Sequence, residues 1–246
     1  MARNIDRKEL KNPDQFVTFW GRVGAYIAAH RMAVIGGAAG LVLAGFGSWG
    51  VSALMARKAA ENSLAFSRIE KIANAELLPE KGEPNKKDDG LPHFKTEDAR
   101  LEAALKEVDT FLAAHGSSNL KDEALLLKAR YLLALGKTSE SLAIYKDQLG
   151  GVDQRLRFLV REGLGYAQEA SGKTDDAIAT FTALADDAQN TGGFYRDRAL
   201  FNKARLLQLK GSGKDAEKLL HEILEKTPTT PLRDEINDRL ATLENK

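Results

Sequence analysis

Residues 164–181 read LGYAQEASGKTDDAIATF, and the spacing of four residues inside this stretch recurs elsewhere in the chain. Gly165, Gly172, Ala177 and Phe181 have counterparts thirty-six residues earlier in Ala129, Gly136, Ser141 and Tyr145, and thirty-nine residues later in Ala204, Gly211, Ala216 and Leu220. Four position classes keep one register across three copies, which marks a repeat architecture. Each unit reads as a helix with a small residue in its middle, a turn closed by glycine, and a second helix. In that second helix a small residue is followed four positions later by a large apolar one. Small residues let paired helices approach, and large ones fill the gap between them.

This arrangement resembles the tetratricopeptide repeat, which places small residues at its eighth and twentieth positions, glycine at its fifteenth and a large apolar or aromatic residue at its twenty-fourth. The last unit adds Pro228 where that family often has proline. Departures are Ser141, Gln168 where an aromatic is usual, and intervals longer than the common thirty-four. A degenerate earlier unit is expected around Ala104 and Val108, thirty-seven residues before Ser141 and Tyr145, with the helix after Ala56 as its first half. Residues 231–244 read as a charged capping helix over the last apolar face. The expected fold is therefore all-α, a solenoid of three to four helix pairs with a C-terminal cap.

Ahead of the repeats, residues 32–55 read MAVIGGAAGLVLAGFGSWGVSALM, twenty-four residues without a charge. As a helix this run reaches about 36 Å, enough to cross a hydrocarbon core of about 30 Å. A buried core helix and a cleaved signal peptide are the competing readings. The long, partly acidic lead-in and Leu54 near the would-be cleavage point favour an uncleaved anchor. The sequence thus divides into a basic arm at 1–31, a membrane helix at 32–56, a juxtamembrane helix with an exposed loop at 57–95, and the repeat domain at 96–246. The loop carries Pro79, Gly82, Pro84, Gly90, Pro92 and the charge run at 86–89.

Arg3, Arg7, Lys8, Lys11, Arg22 and Arg31 give the arm a net charge of +3, which favours its retention in the cytoplasm. Arg57 and Lys58 beyond the span work against this. The expected location is a bacterial inner membrane, with the N terminus cytoplasmic and the large domain periplasmic. Phe16, Phe19, Trp20, Val23 and Ile27 recur at steps of three and four, and with Arg22 they form an interface-seeking stripe or a docking face for a partner. Gly36 and Gly40 form a GxxxG that permits close approach of another membrane helix.

Little chemistry is encoded. The chain has no cysteine, which removes disulfides and thiolate sites. The domain after the span has a net charge of −2, which speaks against nucleic-acid binding. Gly-Lys-Thr occurs at 136–138 and 172–174, but Tyr131 and Ala167 stand where a P-loop needs its first glycine. Both copies read instead as a helix-ending glycine followed by a threonine able to cap the next helix. His221 and Glu222 begin a zinc-protease pattern that fails at Glu225, and His30, His93 and His115 are isolated. Neither an enzyme nor a cofactor is expected.

In the tetratricopeptide register, Leu126, Arg130, Glu162, Tyr166, Phe201 and Arg205 face the inside of the curve, and the resemblance implies that they line a groove for a polypeptide, some of them also serving as packing or surface. Gly163 stands where the family's carboxylate clamp needs asparagine, so recognition of a chain-terminal carboxylate is not expected. The layout of basic arm, single span and outer repeat domain is similar to the YfgM-type family, ancillary subunits of the bacterial SecYEG translocon that take part in periplasmic chaperone traffic. That resemblance implies translocon subunits, periplasmic chaperones or exported polypeptides as partners. A structural scaffold in a cell-envelope machine is the alternative.

Overall fold

The structure is a computed structural model that describes residues 15–78, 92–187 and 193–244. Arg3, Arg7, Lys8, Lys11 and the loop charges at 86–89 lie outside the described residues. Among the described residues there are ten helices and no strand, only an isolated bridge between Leu77 and Phe94. The chain divides into two compact units, Met1–Ala60 and Glu61–Lys246.

The first unit holds helix α1 (Gln15–Ala29) and the apolar part of α2 (Arg31–Ala73). The eighteen most apolar residues of α2 have a mean hydropathy of 1.6 and none is buried against protein, so this helix is long and apolar enough to cross a membrane. The hydrogen-bond ladder stops and restarts at His30, whose N–H donates to the Tyr26 carbonyl (3.0 Å) and whose carbonyl accepts from Val34 N–H (3.0 Å). The Tyr26 and His30 rings stack, with centroids 4.4 Å apart.

The second unit begins with the last turns of α2. It continues through α3 (Glu97–His115), α4 (Lys121–Ala134), α5 (Thr138–Gln148), α6 (Arg157–Ala170), α7 (Thr174–Ala185), α8 (Phe194–Leu209), α9 (Gly213–Lys226) and α10 (Arg233–Glu244). From α3 to α9 each helix packs on the next, as antiparallel hairpins stacked in sequence order. Ile69, Ala65 and Phe66 of α2 pack with Val108, Phe111 and Leu112 of α3 and with Ala124 of α4. The end of α2 is thus the partner of α3. It stops at Ala73, and Leu77 pairs with Phe94 in an isolated bridge.

Two turns show why the repeat carries its glycines. Gly136 (φ +72°) and Gly172 (φ +73°) adopt the left-handed conformation that a side chain disfavours. Lys137 N–H then reaches the Leu132 carbonyl (2.8 Å) and Lys173 N–H the Gln168 carbonyl (2.8 Å), closing the helix ends. The threonines do not cap as the sequence suggested. Lys137 and Lys173 occupy the cap positions, with no side-chain cap bond, and the Thr138 hydroxyl donates back to the Gly136 carbonyl (3.3 Å). The glycine turn has consumed the lysine as its closing residue, which leaves threonine one place inside the helix.

The two departures in the repeat pattern are satisfied polar contacts. Ser141 is fully buried and its hydroxyl donates to the Ala129 carbonyl (2.8 Å), so the small position is filled with its proton placed. Gln168 accepts from the Thr180 hydroxyl at 2.7 Å. The change of interval from thirty-six to thirty-nine is explained by α7 and α8, which are one and two residues longer than α5 and α6. The buried Ile236 and Leu240 of α10 pack with Leu206, Leu220 and Ile223, covering the face that the last pair would otherwise leave open.

Candidate binding cleft between α4 and α6

Helix α6 is built to receive an aromatic ring on each side. A methyl group at Gly165 would stand 2.6 Å from Cζ of Phe181, and one at Gly163 would fall on the Tyr145 ring. Both rings are therefore buried against bare backbone, each worth about 2–3 kcal/mol of apolar burial. Gly163, read from sequence as a missing clamp residue, is where the Tyr145 phenol sits.

Beside this contact α4 and α6 leave a cleft of about 470 Å³. Its walls include Leu126, Arg130 and Leu133 of α4 and Leu159, Glu162 and Tyr166 of α6, with Tyr145 from α5 and Arg198 from α8. Four of the six residues singled out from sequence, Leu126, Arg130, Glu162 and Tyr166, thus share one site.

The other two do not line it. The Phe201 ring lies 5.4 Å below the Arg239 guanidinium of α10. Arg205 makes a two-point pair with Glu169, one contact measuring 2.5 Å. This pair belongs to a ladder between α6 and α8. Arg198 Nε donates to Glu162 Oε1 at 2.8 Å and its Nη2 to Oε2, and Asn202 Nδ2 donates to the Tyr166 hydroxyl oxygen at 3.0 Å. All three rungs join residues thirty-six apart, three short of the local repeat and so about one turn out of register. Complementary residues at that interval, Glu162 with Arg198 and Glu169 with Arg205, are the sequence signal that a search for small residues passes over.

The charges of the cleft are unevenly compensated. Glu162 is nearly buried, with 8% of its side chain exposed, and both its oxygens are taken by Arg198. Arg130 is exposed and makes no ion pair among the described residues. Burial pushes the Tyr145 phenol up to about 12, the Arg130 charge pulling it down and Glu162 raising it. Burial, and then Glu162, also raise Tyr166. Both phenols therefore keep their protons at neutral pH and serve as donors.

In the first unit, Phe16, Phe19 and Trp20 are exposed on α1, with Phe16 and Phe19 edge-on to Trp20 at 6.1 and 5.5 Å, and Arg22 lies on the exposed surface. Added Cβ atoms at Gly36 and Gly40 would meet nothing within 4 Å, so this stretch of α2 is open to close approach.

No protein-family model matches the chain. A stretch of 121 residues, 46% of this chain, is 31% identical to Superkiller complex protein 3 of Mus musculus, and the chain spans only 8% of that protein's length. Among solved structures, the nearly identical TPR-like repeats of a kinesin light chain-like protein from Podosopora anserina superpose with a TM-score of 0.52 at 17% identity, covering 61% of this chain and 80% of that one. A single-substitution variant of the same repeats gives 0.52 at 16% identity, over 61% and 79%. With the glycine turns and stacked pairs, these likenesses define the fold as a tetratricopeptide-like α-solenoid. Among the described residues, the chain has a TPR-like repeat fold preceded in sequence by one apolar helix of membrane-spanning length.

Proposed function

We propose that this protein is a membrane-tethered interaction module that holds a segment of a partner polypeptide in the cleft between α4 and α6. The observation that carries this reading is the cleft itself, where apolar walls, one uncompensated guanidinium and two protonated phenols converge on the first helices of consecutive repeats. Peptide recognition uses such a mixture of apolar contact with a few fixed polar groups.

The break at His30 supports the tether. A helix end leaves carbonyls without intrahelical partners, and in hydrocarbon those are costly, so the break belongs at the water boundary beside Arg31. Helix α1 then lies on the leaflet with Phe16, Phe19 and Trp20 in the lipid and Arg22 at the headgroups. Gly36 and Gly40 serve as the contact face for another membrane helix. The charge of the arm favours a cytoplasmic N terminus and a periplasmic repeat domain, which suits a role beside the export channel, with translocon subunits, chaperones or exported chains as partners. The second reading, a fixed scaffold subunit of an envelope machine, is favoured by the partial likeness to a protein named as part of a complex.

Crosslinking in intact membranes separates the two. Photoreactive residues replace Leu159 in the cleft and Gly40 in the span, and captured proteins are identified. Channel subunits at Gly40 with chaperones or exported chains at Leu159 support the export role. One stoichiometric set of envelope proteins at both positions supports the scaffold, and capture at neither contradicts both.

A further inference from the structure

The cleft selects among polypeptides by a chemistry its own groups define, an inference that rests on the reading above. Tyr145 is 1% exposed, yet its hydroxyl lines the cleft and meets no hydrogen-bond partner among the described residues. The ring is buried, but the hydroxyl faces the cleft and can donate to a group that enters it. The Arg130 guanidinium opens on the same space without an ion pair. The Tyr166 oxygen already accepts from Asn202, which leaves its proton to donate. Arg130 offers only donors, the Tyr145 and Tyr166 hydroxyls each have a proton to give, and the sole carboxylate in the lining, Glu162, is occupied on both oxygens by Arg198.

The cleft thus favours a group that brings negative charge and acceptors. A carboxylate at the end of a side chain does so, and Leu126, Leu133 and Leu159 offer contact to an apolar neighbour. A chain-terminal carboxylate lacks its clamp here, because the Tyr145 ring occupies the space that an asparagine at Gly163 would need. We propose that the cleft recognises an internal Asp or Glu side chain adjacent to a large apolar residue in a partner polypeptide. Arg130 takes the carboxylate as a two-point pair and the Tyr145 hydroxyl donates to it.

The test uses the full chain in lipid nanodiscs and an array of randomised short peptides, acetylated and amidated so that no terminal charge remains. The expected result is retention of peptides enriched in Asp or Glu next to Leu, Ile or Phe. Arg130→Ala removes the acidic enrichment and weakens retained peptides by at least about tenfold, as loss of a charge-assisted pair does. Tyr145→Phe weakens them by about threefold to tenfold with unfolding unchanged, and Lys218→Ala on α9 has no effect. A parallel array with free C termini tests the other source of a carboxylate. Retention that demands a free terminus and ignores acidic side chains overturns the proposal. Peptides retained by the wild type without acidic enrichment overturn it as well, while leaving the interaction module standing. Retention of no peptide by the wild type overturns that reading too.

Discussion

Gly163 of α6 lies so close to the ring of Tyr145 in α5 that a single added methyl group would overlap the phenol. The contact joins the second helix of one repeat to the first helix of the next, and it forms one side of the cleft. Gly163→Ala must push the ring out of a buried site, and overpacking of this kind costs about 1–3 kcal/mol. Urea unfolding of the single variant is expected to show that loss. Gly163→Ala combined with Tyr145→Leu is expected to be more stable than the two single changes sum to, because the smaller side chain leaves room. Strict additivity would mean that the two residues do not touch.

Glu162 and Arg198 form the most enclosed rung of the α6 to α8 ladder. Glu162→Ala leaves the guanidinium facing an apolar wall, but Arg198 is about one-third exposed and water relieves part of the penalty. The expected loss is about 1–2 kcal/mol, below the 3–5 kcal/mol of a fully buried broken pair. The exposed pair of Lys210 with Asp175, removed by Asp175→Ala, is expected to change stability by less than about 0.5 kcal/mol.

Alkaline titration reports on Tyr145. Its phenol is pushed from 10.0 to about 12 in the fold by burial. The unfolded chain releases this proton first, so the contribution to stability is whole below pH 10 and is lost as the pH rises through 12. The loss is on the order of 2 kcal/mol. Urea midpoints for wild type and Tyr145→Phe, compared at about pH 9 and about pH 11.5, are expected to match at the lower pH and to separate at the higher, the wild type falling below the variant. Equal differences at both would contradict the burial of the ring.

Gly172 stands at φ +73° with open space where a Cβ would be, so any penalty there belongs to the backbone. Gly172→Ala is expected to cost about 1 kcal/mol and Gly172→Asn less, since asparagine tolerates the left-handed region. Thermal unfolding of both variants checks the order.

The membrane reading predicts that the chain stays with membranes after alkaline washing. Leu43→Arg places a charge near mid-span at a cost of about 2.5–3.5 kcal/mol, and the inserted fraction is expected to fall. Release of the wild type by alkali would contradict a spanning α2.

The repeat was legible because its constraints are local. A small residue opposite a large one, and a glycine where the chain turns left-handed, are visible as fixed spacings in one sequence, as Gly165, Gly172 and Phe181 illustrate. The cleft was half legible. Leu126, Arg130, Glu162 and Tyr166 follow from the register, but Phe201, at an equivalent position, lies under Arg239 of α10. That contact depends on where the last helix folds back, and no periodicity encodes it. Gly163 looked like an absence in sequence because its partner, Tyr145, sits on a different repeat. The ladder was written in the sequence as charge pairs thirty-six apart, offset from the repeat by about a turn, and only the packing of α6 on α8 sets that offset.

The central claim is that the face between α4 and α6 is the working surface. It is tested most directly by reversing one charge on each side of the solenoid, Arg130→Glu in the cleft and Lys218→Glu on α9, in otherwise intact full-length protein. Partners that copurify with each form are quantified, and the unfolding midpoints are matched. The account predicts that Arg130→Glu strips the partners and Lys218→Glu keeps them. Partners retained by Arg130→Glu and lost by Lys218→Glu would place the working surface on the opposite face and contradict it.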